Sequence, residues 1–66
     1  MRKEIEVGDI VCGDDSTLYG KTPMEVTRIV RTQMGWAYAE LRILFGPNAG
    51  DLTTESTLRL EHYTQE

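Results

Sequence analysis

Between Gly35 and Gly46 the chain reads Trp36-Ala37-Tyr38-Ala39-Glu40-Leu41-Arg42-Ile43-Leu44-Phe45. With a period of two, Ala37, Ala39, Leu41, Ile43 and Phe45 fall on one side and Trp36, Tyr38, Glu40, Arg42 and Leu44 on the other. The first set predicts a core face. The second is amphipathic and partly charged, which suits a face turned to solvent or to a partner. The rival reading is an amphipathic helix, because Ala, Leu, Glu and Arg are good helix formers and Ala37, Leu41, Leu44 and Phe45 would share a stripe that Gly46-Pro47 could end. The strand reading gains from its neighbour. Met24 to Arg31 is itself strand-like, so Thr32 to Gly35 reads as a hairpin loop.

The same pattern places the other elements. Ile5 to Gly13, with Gly8-Asp9 turning into Ile10-Val11-Cys12, predicts a first strand, with Val7 and one face of Ile10 to Cys12 in the core. Gly13 to Pro23 is a long turn-rich loop with Leu18 and Tyr19 as its apolar anchor. In Met24 to Arg31 the apolar phase slips at Ile29 and Val30. A one-residue bulge near Thr27-Arg28 restores it, returning Ile29 to the core and setting Arg28 or Arg31, or both, on the outer surface with Trp36 and Tyr38. Gly46 to Asp51 is a second turn, and Leu52-Thr53-Thr54 a short fourth strand. Glu55-Ser56-Thr57 forms a single helical turn before a last strand from Leu58 to Tyr63, with Leu58 and Leu60 inward and Arg59 and Glu61 outward. Thr64 to Glu66 is a frayed tail.

Length then decides how the strands must be arranged. Ten extended residues from Trp36 to Phe45 reach about 30 Å, whereas a globule of this size is about 28 Å across. The third strand must therefore coil and serve two sides of a small barrel. With 66 residues the chain makes one domain, spanning 1–66, near the lower size limit for an unaided core. The fold class predicted is all-β: about five antiparallel strands, with one short helical turn before the last.

Charge and reactive groups narrow the chemistry. Seven basic and eleven acidic side chains give a formal net charge of −4, which disfavours nucleic acid or an anionic membrane as the default partner. Cys12 is the lone cysteine, so the chain forms no internal disulfide and a reducing cytoplasm is expected. Nothing basic adjoins Cys12 in sequence to activate it. Asp14-Asp15 lacks the calcium-loop pattern, Gly46 to Asp51 lacks the P-loop lysine, and His62 has no sequence neighbour that would make it a base or ligand. The N-terminus shows no apolar signal core, and no stretch approaches the roughly 20 apolar residues of a membrane span. No catalytic residue, cofactor or metal is expected, and the chain is read as not an enzyme.

Taken in order, Val7-Gly8-Asp9-Ile10-Val11, the long loop, Pro23-Met24-Glu25-Val26, a hairpin into Gly35-Trp36-Ala37, and the closing Leu58-Arg59-Leu60 resemble a small SH3-like barrel. More narrowly they are similar to the YodC-like family of short bacterial proteins, which open with a Gly-Asp-x-Val strand followed by a Pro-x-Met-x-Val strand and an aromatic strand. The resemblance implies a fold and carries no biochemical activity. Function is therefore read from side chains. Trp36, Tyr38 and Arg42, with Tyr19 from the long loop and Arg28 or Arg31, form a contact patch of the residue types that dominate protein interfaces. A protein-interaction module is the expectation, with another protein as partner and a homodimer open through an edge strand. The alternative is single-stranded nucleic-acid binding by aromatic stacking and arginine contacts on the same face. Acidic mimicry of nucleic acid is disfavoured because the acids are scattered.

Overall fold

The computed structural model describes residues 4–63; the predicted tail, Thr64 to Glu66, lies outside them. The chain is all-β, with strands β1 (Ile10–Gly13), β2 (Met24–Arg31), β3 (Ala37–Ile43), β4 (Leu52–Ser56) and β5 (Leu60–His62). A 3-10 turn, Thr57–Arg59, precedes β5. The strands form one antiparallel sheet in the order β4-β3-β2-β1-β5.

That order forces the sheet to curl. β4 and β5 are its opposite edges, yet only Thr57–Arg59 separates Ser56 from Leu60. Four steps of 3-10 backbone advance about 8 Å, whereas four strand spacings in a flat sheet span about 19 Å. The turn itself is well anchored. The Leu58 N–H donates to Ser56 Oγ at 3.2 Å, the Leu60 N–H donates to the Thr57 carbonyl, and Thr57 Oγ1 donates to the Ala37 carbonyl at 3.4 Å. The radius of gyration is 11.2 Å.

Inside the curl, Val11, Met24, Val26, Ala39, Leu41, Ile43 and Leu60 make the core, with Ile5, Tyr19 and Ile29 packed against it. β3 alternates as its period of two predicts: Ala37, Ala39, Leu41 and Ile43 are buried, and the residues between them are not. The bulge is present. The β2–β3 register shifts between Val26 and Arg28, and the extra residue, Thr27, donates its hydroxyl to the Glu40 carbonyl at 3.0 Å. Ile29 thereby regains the core side.

Four apolar residues do not sit where the pattern put them. Phe45 is 72% exposed because β3 ends at Ile43, where the Ile43 N–H donates to the Asp51 carbonyl at 2.9 Å and its carbonyl accepts from the Gly50 N–H at 2.7 Å. The strand is seven residues, not ten. Val7 is 62% exposed: it rides a turn closed by the Asp9 N–H on the Glu6 carbonyl at 3.0 Å, with Gly8 supplying φ +95°. Leu58 is also exposed, since the helical turn falls two residues later than predicted and takes Leu58 out of the strand. Leu18 of the long loop points outward, leaving Tyr19 as the anchor. Among the described residues no helix is long and apolar enough to cross a membrane.

Candidate functional site

Residues opposite one another on antiparallel strands share a face, so register assigns the outer surface. Tyr38 lies between Val30 and Ser56, Glu40 between Arg28 and Thr54, and Arg42 between Glu25 and Leu52. Their neighbours along β3 are buried, so this is the face away from the core. Trp36 stands one residue before β3, at the mouth of the β2–β3 hairpin. Its carbonyl accepts the Thr32 N–H at 2.9 Å and the Thr32 hydroxyl at 3.0 Å. Gln33-Met34-Gly35 forms the connection, with the Gly35 N–H on the Thr32 carbonyl at 3.2 Å and Gly35 at φ +91°. This is the three-residue hairpin that ends in a left-handed residue.

The outer face is graded along its length. At the hairpin end Trp36 is 52% exposed and Tyr38 is half-buried. At mid-strand Arg28 Nη1 and Glu40 Oε2 pair at 3.5 Å. At the far end Arg42 is exposed beside exposed Leu52. Among the described residues Arg42 makes no ion pair, although Glu25 is its cross-strand neighbour. The mid-strand pair is open to solvent and adds little stability, but it neutralises one of the two face cations.

Two of the six predicted contact residues lie elsewhere. Arg31 is paired with buried Ala37, so it occupies the opposite phase from Tyr38. It lines a groove of about 230 Å³ at the end of the curled sheet with Ile29, Ala37, Leu58 and Leu60. Tyr19 packs on the core beside Met24, Leu41 and Thr53 around a void of about 60 Å³. The bulge explains the first departure, because it lets only Arg28 of the two arginines face outward. Burial of the loop anchor explains the second.

The remaining reactive groups are held in structural roles. His62 Nε2 and Asp9 Oδ2 meet at 2.9 Å, and the same oxygen accepts the Glu6 N–H at 2.9 Å, tying β5 to the turn before β1. The partners are 53 positions apart, so no local signal in the sequence joins them. Cys12 is buried, its Sγ 4.0 Å from Glu61 Oε1, which Lys21 Nζ also contacts at 3.1 Å. Burial, and then the Glu61 charge, push the thiol above its ordinary pKa, with Lys21 opposing. That makes Cys12 a poor nucleophile at neutral pH. Asp14 accepts from both the hydroxyl and the amide of Ser16, which hold its carboxyl below the usual range. Among the described residues no group of three or more His, Cys, Asp or Glu is placed to hold a metal.

Sequence reasoning missed one surface feature. Ile10, Pro23, Leu44, Phe45 and Tyr63 form an apolar hollow at the other end of the sheet, hidden in the pattern because Phe45 reads as a core residue. No protein-family model matches the chain, and no curated protein or solved structure shows significant similarity to it.

Proposed function

We propose that the chain is a small SH3-like barrel that works as a non-enzymatic protein-interaction module, with its contact face on the outer surface of β2, β3 and β4. The SH3-like reading is supported by the sheet order, the long β1–β2 loop and the 3-10 turn joining the two edge strands. The observation that carries the function is Trp36, half exposed beside Tyr38. A large aromatic side chain left in water contributes little to the fold and gains most when a partner buries it. Arg42, at the other end of the same face, supplies a cation that makes no ion pair among the described residues. Nucleic acid fits less well, because Arg28 is neutralised by Glu40 and Glu25 adds a further negative charge.

The test is the double variant Trp36→Ala/Tyr38→Ala. It should keep the far-ultraviolet circular dichroism of the parent while losing partners that the parent captures, measured by quantitative mass spectrometry with Leu18→Ala, an exposed residue of the β1–β2 loop, as the control. Unfolding of the double variant would assign Trp36 and Tyr38 to structure. Unchanged capture would remove the face from the interaction.

A further inference from the structure

The groove that holds Arg31 borders an unfinished strand edge. β2 runs for eight residues, but β1 pairs only with Met24 and Glu25, and the last β1-side backbone bonds on β2 reach Val26 from Gly8 and Asp9. Main-chain direction along the rest of β2 follows from alternation. Thr32 bonds across to Trp36 and so faces β3. Val30 and Arg28 then face β3 as well, and Ile29 and Arg31 face away. Agreement comes from β3, where the Glu40 carbonyl meets Thr27 on the β2 side and the Ala37 carbonyl meets Thr57 on the β4 side. Among the described residues nothing bonds the N–H or C=O of Ile29 or Arg31 on the open side. Two residues thus present four unused backbone groups.

Beside this edge lies the 230 Å³ groove. It is smaller than the roughly 300–1,000 Å³ that encloses a drug-sized ligand. Its floor is apolar: Ile29, Ala37, Leu58 and Leu60. Of its charged lining, Glu61 is engaged by Lys21 and His62 by Asp9, while Glu4 and Arg31 are both exposed and neither has an ion pair among the described residues, which leaves Arg31 as the groove's unengaged cation.

We infer that this edge receives an extended segment of a partner polypeptide, added antiparallel to β2, with an acidic side chain opposite Arg31 and an aliphatic one opposite Ile29. Residues opposite Arg31 and Ile29 are two apart on an added antiparallel strand, acid first. The motif is acid-x-aliphatic. Backbone pairing supplies affinity and the two side chains supply specificity, the division of labour of strand addition. This surface is separate from the outer face around Trp36, so the two readings can fail independently.

The probe is the peptide acetyl-Thr-Thr-Glu-Thr-Val-Thr-Thr-amide, titrated into the isotope-labelled chain. Binding should shift the Ile29 and Arg31 amides and slow their hydrogen exchange. The same peptide with its Glu and Val exchanged should bind more weakly, and N-methylation of its Glu and Val amides should abolish binding. Arg31→Gln should weaken the parent peptide about two- to fivefold, the range for an exposed ion pair. Trp36→Ala/Tyr38→Ala should leave it unchanged. No response of the Ile29 and Arg31 amides to millimolar peptide overturns the inference, as does binding indifferent to N-methylation. Protection of those amides that rises with protein concentration, without peptide, would make a second copy the occupant and also overturn it.

Discussion

Leu41→Ala tests the packing that positions both surfaces. Leu41 is fully buried at the middle of β3, flanked on the core side by Val26 of β2 and Thr53 of β4. Both flanking strands are bonded to β3, so they cannot close over the space an alanine would leave. Truncations of this kind cost about 2.7–5 kcal/mol, rising with the residual cavity. A domain of 66 residues has a total stability of about 3–10 kcal/mol at the usual 0.05–0.15 kcal/mol per residue. The variant should therefore lose between about a quarter and all of its stability. In urea, with a slope near the low end for small domains, about 1 kcal/mol per molar, the midpoint should fall by about 3 M or the chain should be unfolded without denaturant. Phe45→Ala is the internal control: the larger side chain is 72% exposed and should change stability by no more than about 0.5 kcal/mol. A loss below about 1 kcal/mol at Leu41, or a larger loss at Phe45, would refute this core and favour one built on the full Ala37-to-Phe45 alternation.

Three further outcomes are expected. A Cβ at buried Gly13 would run into the Thr17 side chain, which accepts the Gly20 N–H and donates to the Asp14 carbonyl; Gly13→Ala should cost about 1–3 kcal/mol, and Thr17→Gly in the same chain should recover part of it in a double-mutant cycle. Thr27→Ala removes the hydroxyl that bonds the Glu40 carbonyl across the bulge and should lower stability by about 1 kcal/mol by denaturant melting. Cys12 is raised from 9.0, mainly by burial, and Lys21 is raised from 10.5, mainly by its hydrogen bond to Glu61. A raised folded pKa means that the unfolded chain loses its proton first, so stability falls as pH climbs above about 9. Urea midpoints from pH 7 to 11 should show that decline, and it should be shallower in Cys12→Ala.

How much of this was readable from the sequence depends on how local the deciding interaction is. The alternation of β3, the slip in β2 and the glycine-bearing turns each lie within a few residues, and each appears in the structure. Phe45 and Leu58 misled because alternation shows which phase a residue has and not where the ladder stops. The stops are set by the Gly50 and Asp51 bonds to Ile43 and by the Ser56 cap on the 3-10 turn. Tyr19 and His62 depend on contacts with β3, β4 and Asp9 across the fold. No short-range pattern carries such information.

The two surfaces share one cause, the extra residue at Thr27. Without a bulge, β2 would alternate unbroken from Met24 and keep Met24, Val26, Arg28 and Val30 on the core side, burying a guanidinium and exposing Ile29. An unpaired cation in a core this small costs several kcal/mol, a large part of the whole stability. The bulge moves Arg28 outward, where Glu40 meets it, and returns Ile29 to the core. It also inverts the next position. Arg31 then falls on the core side of the sheet, but at the end of the strand, where the groove opens and the charge remains in water. Beyond the bulge β1 no longer accompanies β2, so the insertion that rescues the apolar phase coincides with the start of the free edge. One residue thus separates the aromatic outer face from an arginine-tipped groove, and the ten residues from Trp36 to Phe45 show only half of that arrangement.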